Sequence, residues 1–130
     1  MSVFQTVAKK GILDAWGWLA DDFRVVAVDS AYTFDSAHNF LDDVTNRVGI
    51  SSLLASKTST DGNAVSANPT ITGPVTGPIA GCWLFRDTGV EATSDLIAWY
   101  DTTTNGQPMS VETGTADVIL RIRDGLWFRI

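Results

Sequence analysis

The chain has 130 residues, of which 45% are hydrophobic and 18% are charged, and its formal net charge is -6. This composition excludes a disordered acidic chain, and the length is that of a single domain. The nine basic residues form no run longer than Lys9-Lys10, so we predict no nucleic-acid partner. Lysines interrupt the apolar N-terminal stretch, which predicts neither a signal peptide nor a membrane span and favours synthesis in a cytoplasm.

The first elements along the chain are a predicted helix and a predicted strand. Ser2 and Gln5 have the spacing of a capping box, and apolar residues then recur at roughly helical spacing. These features predict a helix over about 3–15. The run FRVVAV at 23–28 is short and rich in β-branched residues, which predicts a strand that is buried on both faces.

A cluster of acidic residues surrounds the only histidine, His38. Asp35 can cap a short helix over about 35–45, on which His38 and Asp42 would be neighbours one turn apart. That spacing is one that a metal or acid–base site can use, with Asp35 as a third ligand. No further histidine or cysteine lies nearby in the sequence, so we favour a surface His–Asp pair on a capped turn. We expect no catalytic residue, no metal site and no cofactor.

Residues 56–81 differ in composition from the rest of the chain. They are rich in Ser, Thr, Gly and Asn, contain three of the four prolines, and show no apolar periodicity. This composition predicts a loop or an extended arm, and so long a connection is commonly functional. We expect the arm to lie on a partner, which makes its prolines candidate interface residues: Pro69, Pro74 and Pro78.

The second half of the chain is dominated by short apolar runs that predict strands. The predicted strands lie at 81–87, 95–101, 108–113, 116–124 and 126–130, and Asp124-Gly125 predicts a hairpin turn between the last two. The whole pattern predicts one mainly-β domain spanning 1–130. We expect an antiparallel β-sandwich with an N-terminal helix and one short additional helix.

The five tryptophans divide into two groups. Trp83 and Trp99 lie within apolar strands and are predicted core residues, and the single cysteine, Cys82, is a predicted buried hydrophobe. The other three tryptophans are less easily placed in a core, and the terminal strand is not cleanly amphipathic, which predicts cover by a neighbour. The resulting interface candidates are Trp16, Trp18, Trp127, Phe128 and Ile130.

No sequence motif of a known catalytic class occurs, so we expect no enzymatic function. Two functions of other classes stay open on these residues. Exposed tryptophans on a β-rich scaffold are typical of a carbohydrate-binding module, which stacks them on sugar rings. A hydrolase would have to use His38, because the chain has no other histidine.

Two blocks of the chain resemble a family of small virion proteins of tailed bacteriophages. The blocks are AKKGILDAWGWLADDFRVVAVDSAYTFDSAHNFLDDVTNRVG and LFRDTGVEATSDLIAWYDT, and together they cover about half of the chain. The resemblance implies a structural virion protein, and we favour a capsid decoration (cement) protein on the capsid surface. Its implied partners are the major capsid protein and two further copies of itself in a homotrimer. A tail, neck or fibre-base component is the alternative, and in either case Tyr32 and His38 would shape the fold.

Overall fold

A computed structural model of the chain describes residues 2–4, 17–59, 63–73, 75, 78–102, 117–121 and 126–129. These residues form a mainly-β fold with antiparallel pairing, as the sequence predicts. The strands are β1 (Ser2–Phe4), β2 (Phe23–Val28), β3 (Arg47–Ile50), β4 (Asn63–Val65), β5 (Thr70–Ile71), β6 (Gly81–Arg86), β7 (Leu96–Tyr100), β8 (Val118–Ile119) and β9 (Leu126–Arg129). The described residues also include the 3-10 helices Leu41–Asp43 and Glu91–Thr93.

The largest sheet has five strands in the order β1-β7-β6-β2-β3. At its centre β2 pairs with β6 along its whole length, from Phe23 opposite Arg86 to Val28 opposite Gly81. Five of the six residues of β2 are buried, which confirms the predicted strand with two covered faces. An antiparallel sheet commonly leaves one face in water, so each face here needs its own cover.

The two faces of this sheet are covered by different parts of the chain. On the face that we call the loop face, Val26, Trp83 and Trp99 pack against Tyr32 and Leu41, from the segment that follows β2. On the opposite face, the ribbon face, side chains of the sheet pack against residues from β4, β5 and β9 and from the connections around them. The buried residues that cover the ribbon face are Trp18, Leu54, Ala64, Ile71, Val75, Ile79 and Trp127.

Residues 56–81, predicted as an arm that lies on a partner, pack against the chain's own sheet where they are described. They contribute β4, which pairs with β9, and β5, which pairs with β8. Ile71 and Ile79 are almost completely buried, together with Ala27 of β2. The described residues of the segment include two short strands, and their apolar side chains cover the ribbon face of this same domain.

The helical content differs from the prediction. The predicted helix over about 3–15 is wrong at its start, because residues 2–4 form β1 and pair with β7. Residues 5–16 lie outside the described residues. Within 35–45, only Leu41–Asp43 is helical, as a single 3-10 turn, so the longer predicted helix is wrong.

The C-terminal strands have pairing partners that the sequence did not predict. β8 pairs with β5 and β9 pairs with β4, whereas the sequence predicted that they would form a hairpin with each other. The turn at 124–125 and the predicted strand at 108–113 lie outside the described residues. In the described part of the chain, no helix has the length and apolarity needed to cross a membrane.

Candidate functional site

The acidic residues around His38 shape the turns of the segment that covers the loop face. Each of three carboxylates accepts hydrogen bonds from backbone N–H groups two to four residues away, which is the usual role of aspartate in turns. Asp43 accepts two of these bonds, and they lower the pKa of its carboxyl group. The bonds run from Ala31 to Asp29 (2.8 Å), from Ala37 to Asp35 (2.8 Å), and from Asn39 (2.9 Å) and Phe40 (3.1 Å) to Asp43.

His38 belongs to a chain of hydrogen bonds that fastens this segment to the sheet. The indole N–H of Trp83 donates to the Tyr32 hydroxyl at 3.0 Å, and that hydroxyl lies 2.7 Å from His38 Nδ1. The Tyr32 hydroxyl can accept from Trp83 and form a second hydrogen bond with Nδ1 at the same time, so it joins the imidazole to the indole. Burial raises the pKa of Tyr32, so the hydroxyl stays protonated in this arrangement.

The helix geometry that suggested a metal site at His38 is not formed. Residues 36–40 are not helical, so the one-turn spacing of His38 and Asp42 does not apply. Among the described residues, no group of three or more His, Cys, Asp or Glu side chains is placed to hold a metal ion. His38 Nδ1 instead lies 2.7 Å from the Tyr32 hydroxyl, in a hydrogen bond that links this segment to the sheet.

The four tryptophans in the described residues are core residues, and each indole N–H has an acceptor. Trp83 and Trp99 are buried as predicted. Trp18 and Trp127 are 5% and 4% exposed, which corrects their selection as interface residues, because the core explains both. A buried indole needs a hydrogen-bond partner. The partners are Thr58 O for Trp18 (2.9 Å), Tyr32 for Trp83, Asp101 for Trp99 (3.0 Å) and Ser66 Oγ for Trp127 (2.7 Å).

The remaining interface candidates are scattered. Pro69 is buried, and its carbonyl accepts from the Leu120 N–H at 3.0 Å, so it is part of the domain's own packing. Pro78 is exposed. Phe128 lies in β9, where it pairs with Ala64. Trp16, Pro74 and Ile130 lie outside the described residues. Pro69 and Pro78, whose burial is described, therefore do not behave alike, and of these two only Pro78 is open to a partner.

A groove at one end of the loop face does gather exposed apolar side chains. This edge groove lies where the end of β3 faces the loop that follows β6, and its volume is about 230 Å³. Ile50 and Val90, on its rim, are 41% and 58% exposed. Leu41 and Phe85, both buried, also line it. The further lining residues are Arg24, Asp87, Gly89, Glu91 and Ser94.

Two ion pairs brace the edge groove. Arg24 binds Asp87 at 2.7 Å and also donates to the Ser51 carbonyl at 3.0 Å, which ties β2 to the loop after β6. Arg47 binds Glu91 at 2.7 Å and lowers the pKa of its carboxyl group. Because the partners are far apart in sequence, no local pattern could have shown this groove.

Arg47 also fixes the first 3-10 helix against the groove. Its guanidinium donates to the Leu41 carbonyl at 2.6 Å and to the Val44 carbonyl at 2.9 Å. The Leu41 carbonyl also accepts from the Val44 N–H at 3.1 Å, so the arginine adds a second bond at Leu41 and supplies a donor to the carbonyl of the C-cap residue Val44. The same side chain therefore connects β3, the first 3-10 helix and, through Glu91, the second.

Cys82 lies in the core of the ribbon face. It is 3% exposed, which confirms the prediction of a buried small hydrophobe. Burial raises the pKa of its thiol to about 12. The nucleophilic form of cysteine is the thiolate, so this side chain is chemically inert in the folded chain.

Comparison with known proteins gives no match: no family model, curated protein or solved structure matches this chain.

Proposed function

We propose that this chain is a structural protein of a tailed-phage virion, without enzymatic activity. In this proposal it is a capsid decoration protein that binds the outside of the head and stabilises contacts between major capsid subunits. The observation that carries the proposal is the edge groove, in which exposed Ile50 and Val90 flank a buried apolar floor. Exposed apolar residues collected in a depression that also has charged and polar side chains are typical of protein-binding surfaces.

The charged residues of the groove support binding in preference to catalysis. Arg24 and Asp87 are paired with each other, and Glu91 is paired with Arg47, so these groups hold the walls in place. The resemblance of two sequence blocks to small phage virion proteins supports the same class of function.

The described tryptophans do not support sugar binding, because they are not exposed. That function requires tryptophan faces open to a sugar ring, and the four described tryptophans are all at most 5% exposed. Their indole faces pack against other core residues, as Trp83 does against Trp99 at 5.5 Å between ring centroids.

We further propose a β-sandwich, in which the β4–β9 and β5–β8 ribbons form the second layer. Ala64 and Trp127 from one ribbon share a cluster with Phe23 and Val25 of the sheet. Ile71 of the other ribbon shares a cluster with Ala27. A layer that covers one sheet face with two short ribbons suits a small shell protein that needs rigidity.

The decisive experiment is the copy number of this protein in purified virions, measured by quantitative mass spectrometry relative to the major capsid subunit. An abundance comparable to that subunit is expected for a protein that covers the head. A far lower ratio would move the assignment to the tail, neck or fibre base, and absence from the particles would overturn a virion role.

The proposed homotrimer has its own test. Analytical ultracentrifugation of the purified chain over a wide concentration range is expected to show a species of three times the monomer mass. A monomer at the highest concentration would remove the trimer from the proposal, while the copy number would still decide the virion role.

A further inference from the structure

We infer that the edge groove receives one aliphatic side chain of an extended partner segment, with a basic residue beside it. This inference rests on the proposed function, in which the partner is the major capsid subunit. It assigns the contact to one place on the chain, the rim formed by Ile50 and Val90.

The size of the groove selects its occupant. Sites for drug-sized molecules and cofactors typically have volumes of roughly 300–1,000 Å³. The edge groove, at about 230 Å³, is smaller than that range and is open to solvent along its rim. A volume of this size suits a single side chain that projects from another protein.

The apolar residues of the groove indicate an aliphatic occupant. In the described residues, five large hydrophobic side chains are exposed, and two of them, Ile50 and Val90, stand on this one rim. Phe85 and Leu41 continue the apolar surface inward and are buried. Covering Ile50 and Val90 would remove apolar area from water at about 25 cal/mol per Å².

The groove is already built before a partner arrives. Arg24 and Asp87 clamp one wall, while Arg47 holds Leu41 on another through its carbonyl. The turn that leads to Val90 contains Gly89, whose φ of 85° is readily adopted only by glycine. The Gly89 N–H donates to the Asp87 carboxylate at 2.9 Å, which fixes the turn further. A preformed site loses little conformational entropy on binding, which favours affinity from a small contact.

The charge of the groove surroundings indicates a basic residue beside the aliphatic one. Asp42, next to Leu41 in the chain, is exposed, and the Glu91 side chain is 55% exposed despite its pair with Arg47. The formal net charge of the chain is -6. Every further copy of this chain carries the same net charge of -6, which opposes its approach to these carboxylates, whereas a basic segment of another protein complements them. We therefore assign the groove to the capsid subunit and not to the trimer contact.

The test measures binding of purified variants to phage heads that lack this protein, by co-sedimentation across a concentration series. Ile50→Asp and Val90→Asp place a carboxylate on the rim and are expected to weaken binding at least tenfold. Leu19→Asp and Ile119→Asp are the matched controls, because both side chains are more than half exposed and neither lines the groove. The controls are expected to bind as the unmodified chain does.

A charge variant tests the basic neighbour. Asp42→Lys is expected to weaken binding about threefold and to reduce its dependence on salt concentration, because an attractive pair is replaced by a repulsive one. Thermal unfolding of every variant accompanies the binding curves. If Ile50→Asp lowers the melting temperature, the binding of Val90→Asp decides the test, because Val90 lies on an exposed loop.

The outcomes separate the two levels of the proposal. If the unmodified chain does not bind heads, decoration itself is wrong and the groove assignment falls with it. If it binds heads but both rim variants bind equally well, decoration stands and the groove assignment is overturned. Loss of the trimer in the rim variants, with head binding intact, would show a self-contact and would also overturn the assignment.

Discussion

The loop face and the ribbon face of the central sheet reach the same degree of burial by different routes. The loop face is covered by residues that follow β2 directly, from Tyr32 to Val44, and a hydrogen bond from Trp83 fastens that cover. The ribbon face is covered by residues as far apart in the chain as Trp18 and Trp127. The first cover is local in the chain, and the second is assembled from distant segments. This difference predicts unequal responses to matched substitutions on the two faces.

The largest effect is expected from truncation of neighbouring residues in β6. Trp83 points to the loop face and Leu84 to the ribbon face, and both are fully buried. Trp83→Ala should lower the free energy of unfolding by about 5 kcal/mol and Leu84→Ala by about 3 kcal/mol, since the first leaves the larger cavity and removes the donor to Tyr32. Urea denaturation measures both values. Equal losses would contradict the greater cost expected from the larger cavity and the lost hydrogen bond to Tyr32.

Added volume provides a second comparison, at two glycines on opposite faces. A Cβ at Gly81 would lie 2.3 Å from a ring carbon of Trp99, whereas one at Gly49 would lie 2.5 Å from the Cγ2 methyl of Ile71. At Gly81 two further ring carbons of the indole lie within 3.2 Å of the added atom, but at Gly49 the next nearest atom is 3.9 Å away, so only one methyl has to shift. We expect Gly81→Ala to cost about 3 kcal/mol and Gly49→Ala about 1 kcal/mol.

Thermal unfolding of both glycine variants measures this pair. The reverse order would show that the ribbon face, and not the loop face, is the less adaptable one.

Removal of a hydroxyl acceptor is expected to have a smaller effect on either face. Tyr32→Phe leaves the indole N–H of Trp83 and Nδ1 of His38 without this partner, and Ser66→Ala leaves the indole N–H of Trp127 without its acceptor. An unsatisfied buried polar group costs about 1–3 kcal/mol. We expect the free energy of unfolding, measured by chemical denaturation, to fall by about 2 kcal/mol for Tyr32→Phe and by about 1 kcal/mol for Ser66→Ala. A greater loss for Ser66→Ala would contradict the importance of the Tyr32–His38 chain.

The smallest effect is a pH dependence confined to the loop-face cover. Hydrogen bonds from Asn39 and Phe40 lower the pKa of Asp43 in the folded chain. Its stabilising contribution is therefore complete above the unfolded-state pKa, about 3.9, and is lost as the pH falls through the lower folded-state value. Asp43→Asn should cost at most about 1 kcal/mol at pH 7, by analogy with helix caps.

The measurement is chemical denaturation from pH 7 to pH 2 for both proteins. The difference between the unmodified chain and Asp43→Asn should shrink at the acid end. A difference that stays constant over this range would remove Asp43 as a source of the acid dependence.

The central strands could be predicted from the sequence because each is a continuous apolar run. Runs of this kind at 23–28, 81–87 and 95–101 correspond to β2, β6 and β7 within one residue at each end. A strand buried on both faces needs no alternation, so length and β-branched content were sufficient. The mainly-β class followed from the same runs.

β1 was missed because its stability is tertiary. The capping-box spacing of Ser2 and Gln5 is a local signal, whereas the observed strand depends on pairing with Trp99 and its neighbours, far away in the chain. Val3 and Phe4 suit a strand as well as a helix, so the distant partner decides between the two.

Trp18 and Trp127 were misread for a related reason. Their acceptors, Thr58 O and Ser66 Oγ, lie 40 and 61 residues away in the chain. Sequence periodicity reports only which neighbours share a face, so it cannot show a core built from such separations. The edge groove was invisible on the same ground, since its ion pairs join residues 63 and 44 positions apart.

The full pairing of β2 with β6 has a consequence for synthesis of the chain. Val28 pairs with Gly81, so β2 must wait while roughly fifty further residues are translated, which takes about 3–10 s at ordinary ribosomal rates. Until β6 is made, FRVVAV lacks this pairing partner, and an apolar six-residue segment with an unpaired edge is of the kind that associates with other chains. Arg24 is the only charge within it. We therefore expect the charge of Arg24 to hinder association of the nascent strand with other chains before Arg24 forms its ion pair with Asp87.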